Sequence, residues 1–184
     1  MIYKRKLHMN SKKHKAFTLI ELIVTLAIFI ILLNVLFPFF ITSYKGFNTT
    51  EIKSHLQSEG ESIMSYFSKD AMEAKEISNI IDINDINSLK ETQVLSMKSI
   101  EFVSGEGDIN GYEIKDGVIS QYKKDNKASS KKTGKMVGKD IKDINIYAVD
   151  GKSFSETSSV RINILMKNKD VTYEINNTLY FRNK

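Results

Sequence analysis

Glu21 is the fifth residue of an apolar run that starts at Phe17 and continues to Ile41. Only Thr18, Thr25 and Asn34 join it as clearly polar side chains in that run. A carboxylate near the centre of a bilayer costs about 2.5 to 3.5 kcal/mol, and less near its edge. A chain carries that cost where the charge has a partner, so the chemistry open to Glu21 is ion pairing. Other candidates lie further on. Asp108, Asn110 and Glu113 place oxygen ligands at short spacing in a Gly-rich stretch, the donor type that hard cations such as calcium take. Asp-x-Asn-Gly is also ordinary turn chemistry, and no metal or other cofactor is expected. Lys123, Lys124, Lys127, Lys131 and Lys132, followed by Lys135 and Lys139, form a basic stretch able to meet phosphates. Single-strand and RNA sites add stacking aromatics, and only Tyr122 is near, so the expectation is a solvated flexible loop with direct nucleic-acid contact as the weaker reading. His55 is the one histidine beyond residue 16 and has no Ser or Asp companion that would make it catalytic. Gly151-Lys152-Ser153 resembles the end of a phosphate loop, but Ile146 stands where its first glycine belongs, leaving a turn.

The element that must position Glu21 is the apolar run itself. About 20 apolar residues span a bilayer as a helix, and Phe17 to Ile41 is long enough. Ahead of it, Lys4, Arg5, Lys6, Lys12, Lys13 and Lys15 carry positive charge with no acid between them. Six of the 27 basic residues and none of the 22 acidic ones lie in residues 1–16, so the remainder carries a net charge of −1. The basic excess is therefore a topology signal: a positive flank stays cytoplasmic, and the chain beyond Ile41 lies outside. A secretory signal peptide would have a shorter core and a small-x-small site after it, whereas this run ends in Phe37-Pro38-Phe39-Phe40-Ile41-Thr42. The chain has no cysteine, which removes disulfides, thiolate zinc sites and cysteine nucleophiles.

The string Phe17-Thr18-Leu19-Ile20-Glu21-Leu22-Ile23-Val24-Thr25-Leu26, behind its basic leader, resembles the processing site and anchor of type IV prepilins and pseudopilins. The resemblance covers roughly residues 1 to 45. It implies a cut between Ala16 and Phe17 by a prepilin peptidase, N-methylation of Phe17, and Glu21 as the fifth residue of the mature chain. The family usually has Gly before the cut, where this chain has Ala16. Pro38 falls near a point where many pilins carry a proline. The implied partners are the peptidase, the cytoplasmic membrane and other pilin or pseudopilin subunits; the implied role is structural and not enzymatic. The tail Leu179-Tyr180-Phe181-Arg182-Asn183 is similar to the ends of J-type and competence-type minor pseudopilins. Once the chain is cut, the Phe17 amine sits at a helix N-terminus, where the dipole favours negative charge. Glu21, one turn on, pairs with that amine or with a neighbour's, and so sets subunit register in an apolar bundle. The competing expectation is an uncut single-pass protein with an extracytoplasmic ligand-binding or enzymatic domain.

The fold class expected is α+β: a long N-terminal helix packed on a C-terminal antiparallel β-sheet, pilin-like. Residues 1–16 form the leader, 17–41 the anchor, 42–77 an amphipathic continuation of the helix and 78–184 the head. Pro38 should kink the helix without ending it. Ile41, Tyr44, Ile52, Leu56, Ile63, Phe67, Ala71 and Ala74 make a helical stripe weakened by Gly46 and Gly60, so the helix runs from about Thr18 to about Ile77. Residues 78–97 read as a connection. Strands are expected at Lys98–Ser104, in a hairpin from Tyr112 to Tyr122 around Asp116-Gly117, and along Ile144–Ala148, Val160–Met166 and Val171–Ile175, with a polar turn at Lys167–Asp170.

Overall fold

A computed structural model describes residues 17–91, 93–94, 96–124 and 134–182. Among the described residues, one helix, α1 (Leu19–Glu73), precedes nine strands: β1 (Ala74–Asp82), β2 (Gln93–Val94), β3 (Met97–Ser104), β4 (Ile109–Lys115), β5 (Val118–Lys124), β6 (Lys135–Gly138), β7 (Ile141–Ala148), β8 (Ser159–Asn168) and β9 (Val171–Tyr180). The chain divides into two compact units, Met1–Gly46 and Phe47–Lys184, and α1 contributes to both.

In the first unit α1 is apolar and exposed from Leu19 through Phe40. It is the one helix among the described residues long and apolar enough to cross a membrane. Pro38 lies inside α1, which continues past it to Glu73 as expected.

In the second unit the apolar stripe of α1 becomes a core. Leu56, Ile63, Met64, Phe67 and Ala71 are buried, whereas Ile41 and Tyr44, which the stripe was expected to include, are exposed in the first unit. The strands form two antiparallel sheets where one was expected. The five-stranded sheet has the order β1-β3-β4-β5-β6 and the four-stranded sheet β2-β7-β8-β9. Helix α1 packs on both. Phe67 meets Tyr112 of β4 and Phe102 of β3, with ring centroids 4.5 and 6.4 Å apart. Seven residues earlier, Gly60 faces β8 and β9, where a Cβ would come within 2.9 Å of Met166 Sδ. The glycine that weakens the helical pattern thus lets helix and sheet approach closely.

The expected hairpin forms around Asp116-Gly117, both at positive φ (52° and 74°), which a two-residue I′ turn requires. Strands β8 and β9 pair out to Asn168↔Val171, so their turn is Lys169-Asp170 alone, two residues shorter than expected. The helix also ends four residues earlier than expected. Ala74-Lys75-Glu76 suits a helix, but Ile77, Ile80 and Ile81 are β-branched, and Ala74–Asp82 pairs with β3 from Ser104 back to Met97. Tertiary pairing overrides local propensity there. What was read as a connection at 78–97 therefore holds the last five residues of β1, all of β2 and the start of β3.

Candidate assembly site

Residues Phe17 and Thr18 are non-helical and α1 begins at Leu19. Thr18 is the N-cap. Its backbone N–H donates to Glu21 Oε2 at 2.9 Å, its hydroxyl donates to the same oxygen at 3.0 Å, and Glu21 N–H donates back to Thr18 Oγ1 at 3.3 Å. This is a capping box, two helix-end donors satisfied reciprocally. Glu21 therefore has a partner within its own chain. The bond expected to be cut, Ala16–Phe17, lies ahead of the first helical turn; Ala16 itself is outside the described residues, and Phe17 is exposed. Further along, the Thr25 hydroxyl lies 2.9 and 2.8 Å from the Glu21 and Leu22 carbonyls, and Asn34 Nδ2 donates to the Ile30 carbonyl at 2.9 Å.

Two buried carboxylates escaped the sequence reading. Asp70, on α1 one turn after Phe67, is buried, and its Oδ2 accepts from the Tyr112 hydroxyl at 2.5 Å and from Gln121 Nε2 at 2.7 Å. Tyr112 and Gln121 are cross-strand partners, so the cluster ties the end of the helix to β4 and β5. Burial, with Asp70 as acceptor, pushes the Tyr112 phenol far above its ordinary range. A charged residue on an apolar stripe was the signal available for Asp70. The second is Glu101 on β3. Glu101, Gly111 and Tyr122 stand in register across three strands. The Tyr122 ring lies across Gly111, where a Cβ would fall 2.2 Å from Tyr122 Cζ. That lets the phenol reach Glu101 Oε1 at 2.6 Å. Burial, reinforced by Glu101, pushes the Tyr122 phenol up as well.

The remaining sequence candidates scatter. Lys124 is committed to Glu101, 2.5 Å away, and lies over the Tyr122 ring, so it is not a free phosphate contact. Lys123 is exposed at the end of β5. Lys127, Lys131 and Lys132 fall outside the described residues. The basic stretch is not one loop: β5 runs through Lys124, and β6 starts at Lys135, whose ammonium reaches the Tyr66 hydroxyl at 3.2 Å. Asp108 precedes β4, while Asn110 and Glu113, three apart on that strand, face opposite sides of the sheet. The structure does not bring these three together as a calcium loop, and no group of three or more His, Cys, Asp or Glu side chains suited to a metal occurs among the described residues. His55 is exposed beside Asn48, Glu51, Ile52, Lys139, Asn168 and Lys169. Gly151-Lys152-Ser153 is a bend, as expected, organised by Asp150. That carboxylate accepts from Thr157 Oγ1 at 2.7 Å and from the Ser158 and Lys152 amides, bonds that hold it at about 2.

No curated protein matches this chain. Residues 11–33 match the family described as the prokaryotic N-terminal methylation motif. The match takes in the end of the basic leader, the Thr18–Glu21 capping box and the first turns of the apolar helix, and it ends before the head. It supports a prepilin-like amino terminus, a substrate for prepilin peptidase and N-methylation, with a pilin- or pseudopilin-type role for the chain that carries it.

Proposed function

We propose that this chain is a minor pilin or pseudopilin, closest in kind to the J-type or competence-type minor subunits. It is held in the cytoplasmic membrane by a single span with its N-terminus inside and cut between Ala16 and Phe17. Its helix then assembles it into a type IV pilus-like filament or tip complex of a secretion, competence or adhesion and motility system. Its work is packing and register, not turnover. The observation that carries this reading is the coincidence of the methylation motif with the start of an exposed apolar helix. The expected cut falls two residues before α1 begins, and the one carboxylate of the span completes the capping box of that helix.

Intact mass of the chain recovered from membranes that contain prepilin peptidase tests it. The expected product lacks Met1 to Ala16 and carries one extra methyl group. A full-length, unmethylated chain in peptidase-competent cells would favour the uncut single-pass protein instead. Glu21→Ala should leave insertion and cutting intact while blocking incorporation into filaments, because the variant cannot meet a neighbour's Phe17 amine. Incorporation at the normal level would sink that role for Glu21.

A further inference from the structure

The polar side chains of the apolar segment differ in how much hydrogen-bonding capacity they have left. Thr18 and Glu21 close on each other, and Thr25 turns its hydroxyl onto its own helix backbone. Asn34 does not saturate. A carboxamide offers two N–H donors and an oxygen that accepts twice. One N–H reaches the Ile30 carbonyl. The second N–H and Oδ1 have no partner among the described residues. Pro38 lies one turn further on in the same stretch. It has no N–H, so it cannot donate to the Asn34 carbonyl four residues before it. These groups sit in a shallow groove between Ile30, Leu33, Phe37 and Pro38, residues whose spacing puts them on one helix face.

Asn34 precedes Ile41 by seven residues, about 10 Å along a helix, which places it inside a hydrocarbon layer about 30 Å thick. No water is there to take up the open groups. The partner must therefore bring polar atoms to that depth. Copies of this chain inserted with their basic flanks on the same side lie parallel, so their Asn34 side chains meet at equal depth. A carboxamide is self-complementary: an N–H of each donates to the oxygen of the other. Thr25 and Glu21 lie about 13 and 20 Å away along the axis and cannot substitute. We propose that Asn34 is the contact through which two copies of this chain pair side by side in the bilayer, amide to amide, with the Ile30–Pro38 groove seating the partner's apolar side chains. The pairing rests on the membrane-spanning reading above.

The test uses the full chain in neutral-lipid proteoliposomes, with donor and acceptor dyes on a cysteine introduced at exposed Lys53. Energy transfer reports association, and carbonate extraction reports insertion. Relative to the parent, Asn34→Leu is expected to lower the association constant about three- to thirtyfold. Asn34→Gln should retain most of it, and Thr25→Val should leave it unchanged. Association equal to the parent in Asn34→Leu overturns the pairing alone, as does an equal loss in Thr25→Val. Transfer seen only when another subunit's helix is supplied overturns the choice of a second copy. A chain that carbonate strips from the lipid overturns the membrane reading and the pairing with it.

Discussion

The two halves of α1 handle polar groups in opposite ways. Before Gly46, the polar side chains of the span find partners at i±3 or i±4 on their own helix. After Phe47, the buried polar group Asp70 is satisfied from other elements, by Tyr112 of β4 and Gln121 of β5. The apolar residues divide in the same way. Those of the first half are exposed, and Leu56, Ile63 and Phe67 are fully buried against sheets. A helix that draws on its own turns, and at Asn34 on a neighbouring helix, can exist in lipid with no help from the head. A helix that hands its polar groups to strands forms its native contacts only as part of the head. The Thr18 cap and the Asp70 cluster are thus two independent anchors, one for each solvent.

If the halves are independent, damage to one leaves the other intact. Phe67→Ala should give the largest effect. It removes a ring packed on Phe102 and Tyr112 and should cost the head about 3 to 5 kcal/mol, read as a lower denaturant midpoint, with membrane insertion unchanged. Loss of insertion in that variant would break the comparison. Asp70→Ala should come next. It leaves the Tyr112 hydroxyl and Gln121 amide without their buried acceptor, at about 1 to 3 kcal/mol. Asp70→Leu costing nothing would show that the cluster is dispensable to packing. Thr18→Val acts on the other half. Loss of the cap should cost about 1 kcal/mol and speed amide exchange about fivefold in the first turn of α1, with the head's unfolding midpoint unmoved. The smallest effect is expected at Asp150. Its carboxylate is held below the ordinary 3.8, at about 2, so its support of the 150–158 bend is complete above pH 3.8 and fades as pH falls through about 2. The Ser158 amide resonance should report that transition, and Asp150→Asn should flatten it.

What the sequence disclosed divides along the same line. The span, its carboxylate and the passage through Pro38 were legible, because hydropathy and N-terminal position act locally. The Asp116-Gly117 hairpin and the alternating runs of β7, β8 and β9 were legible for the same reason. Features set by long-range partners were not. The end of α1 at Glu73 depends on β3, whose Ser104 pairs with Ala74 from about thirty residues away. The division of the described strands into two sheets leaves no mark on the pattern, since the alternation of β7 and β8 reads the same whichever sheet they join. The Asp70 and Glu101 clusters draw on residues 42 and 21 positions distant, and Lys124 looked like part of a solvated loop because its partner lies on another strand.

The direct passage from α1 to β1 has a mechanical meaning. Glu73 ends the helix and Ala74 begins the strand, with no residue between them to act as slack. A pull along α1 is resisted first by the buried side chains of Leu56, Ile63 and Phe67. Whatever they fail to hold passes at once into the β1–β3 ladder, from Ala74↔Ser104 inward. The head is coupled to its helix as a stiff joint, and tension is shared across the ladder's hydrogen bonds instead of being absorbed by a tether.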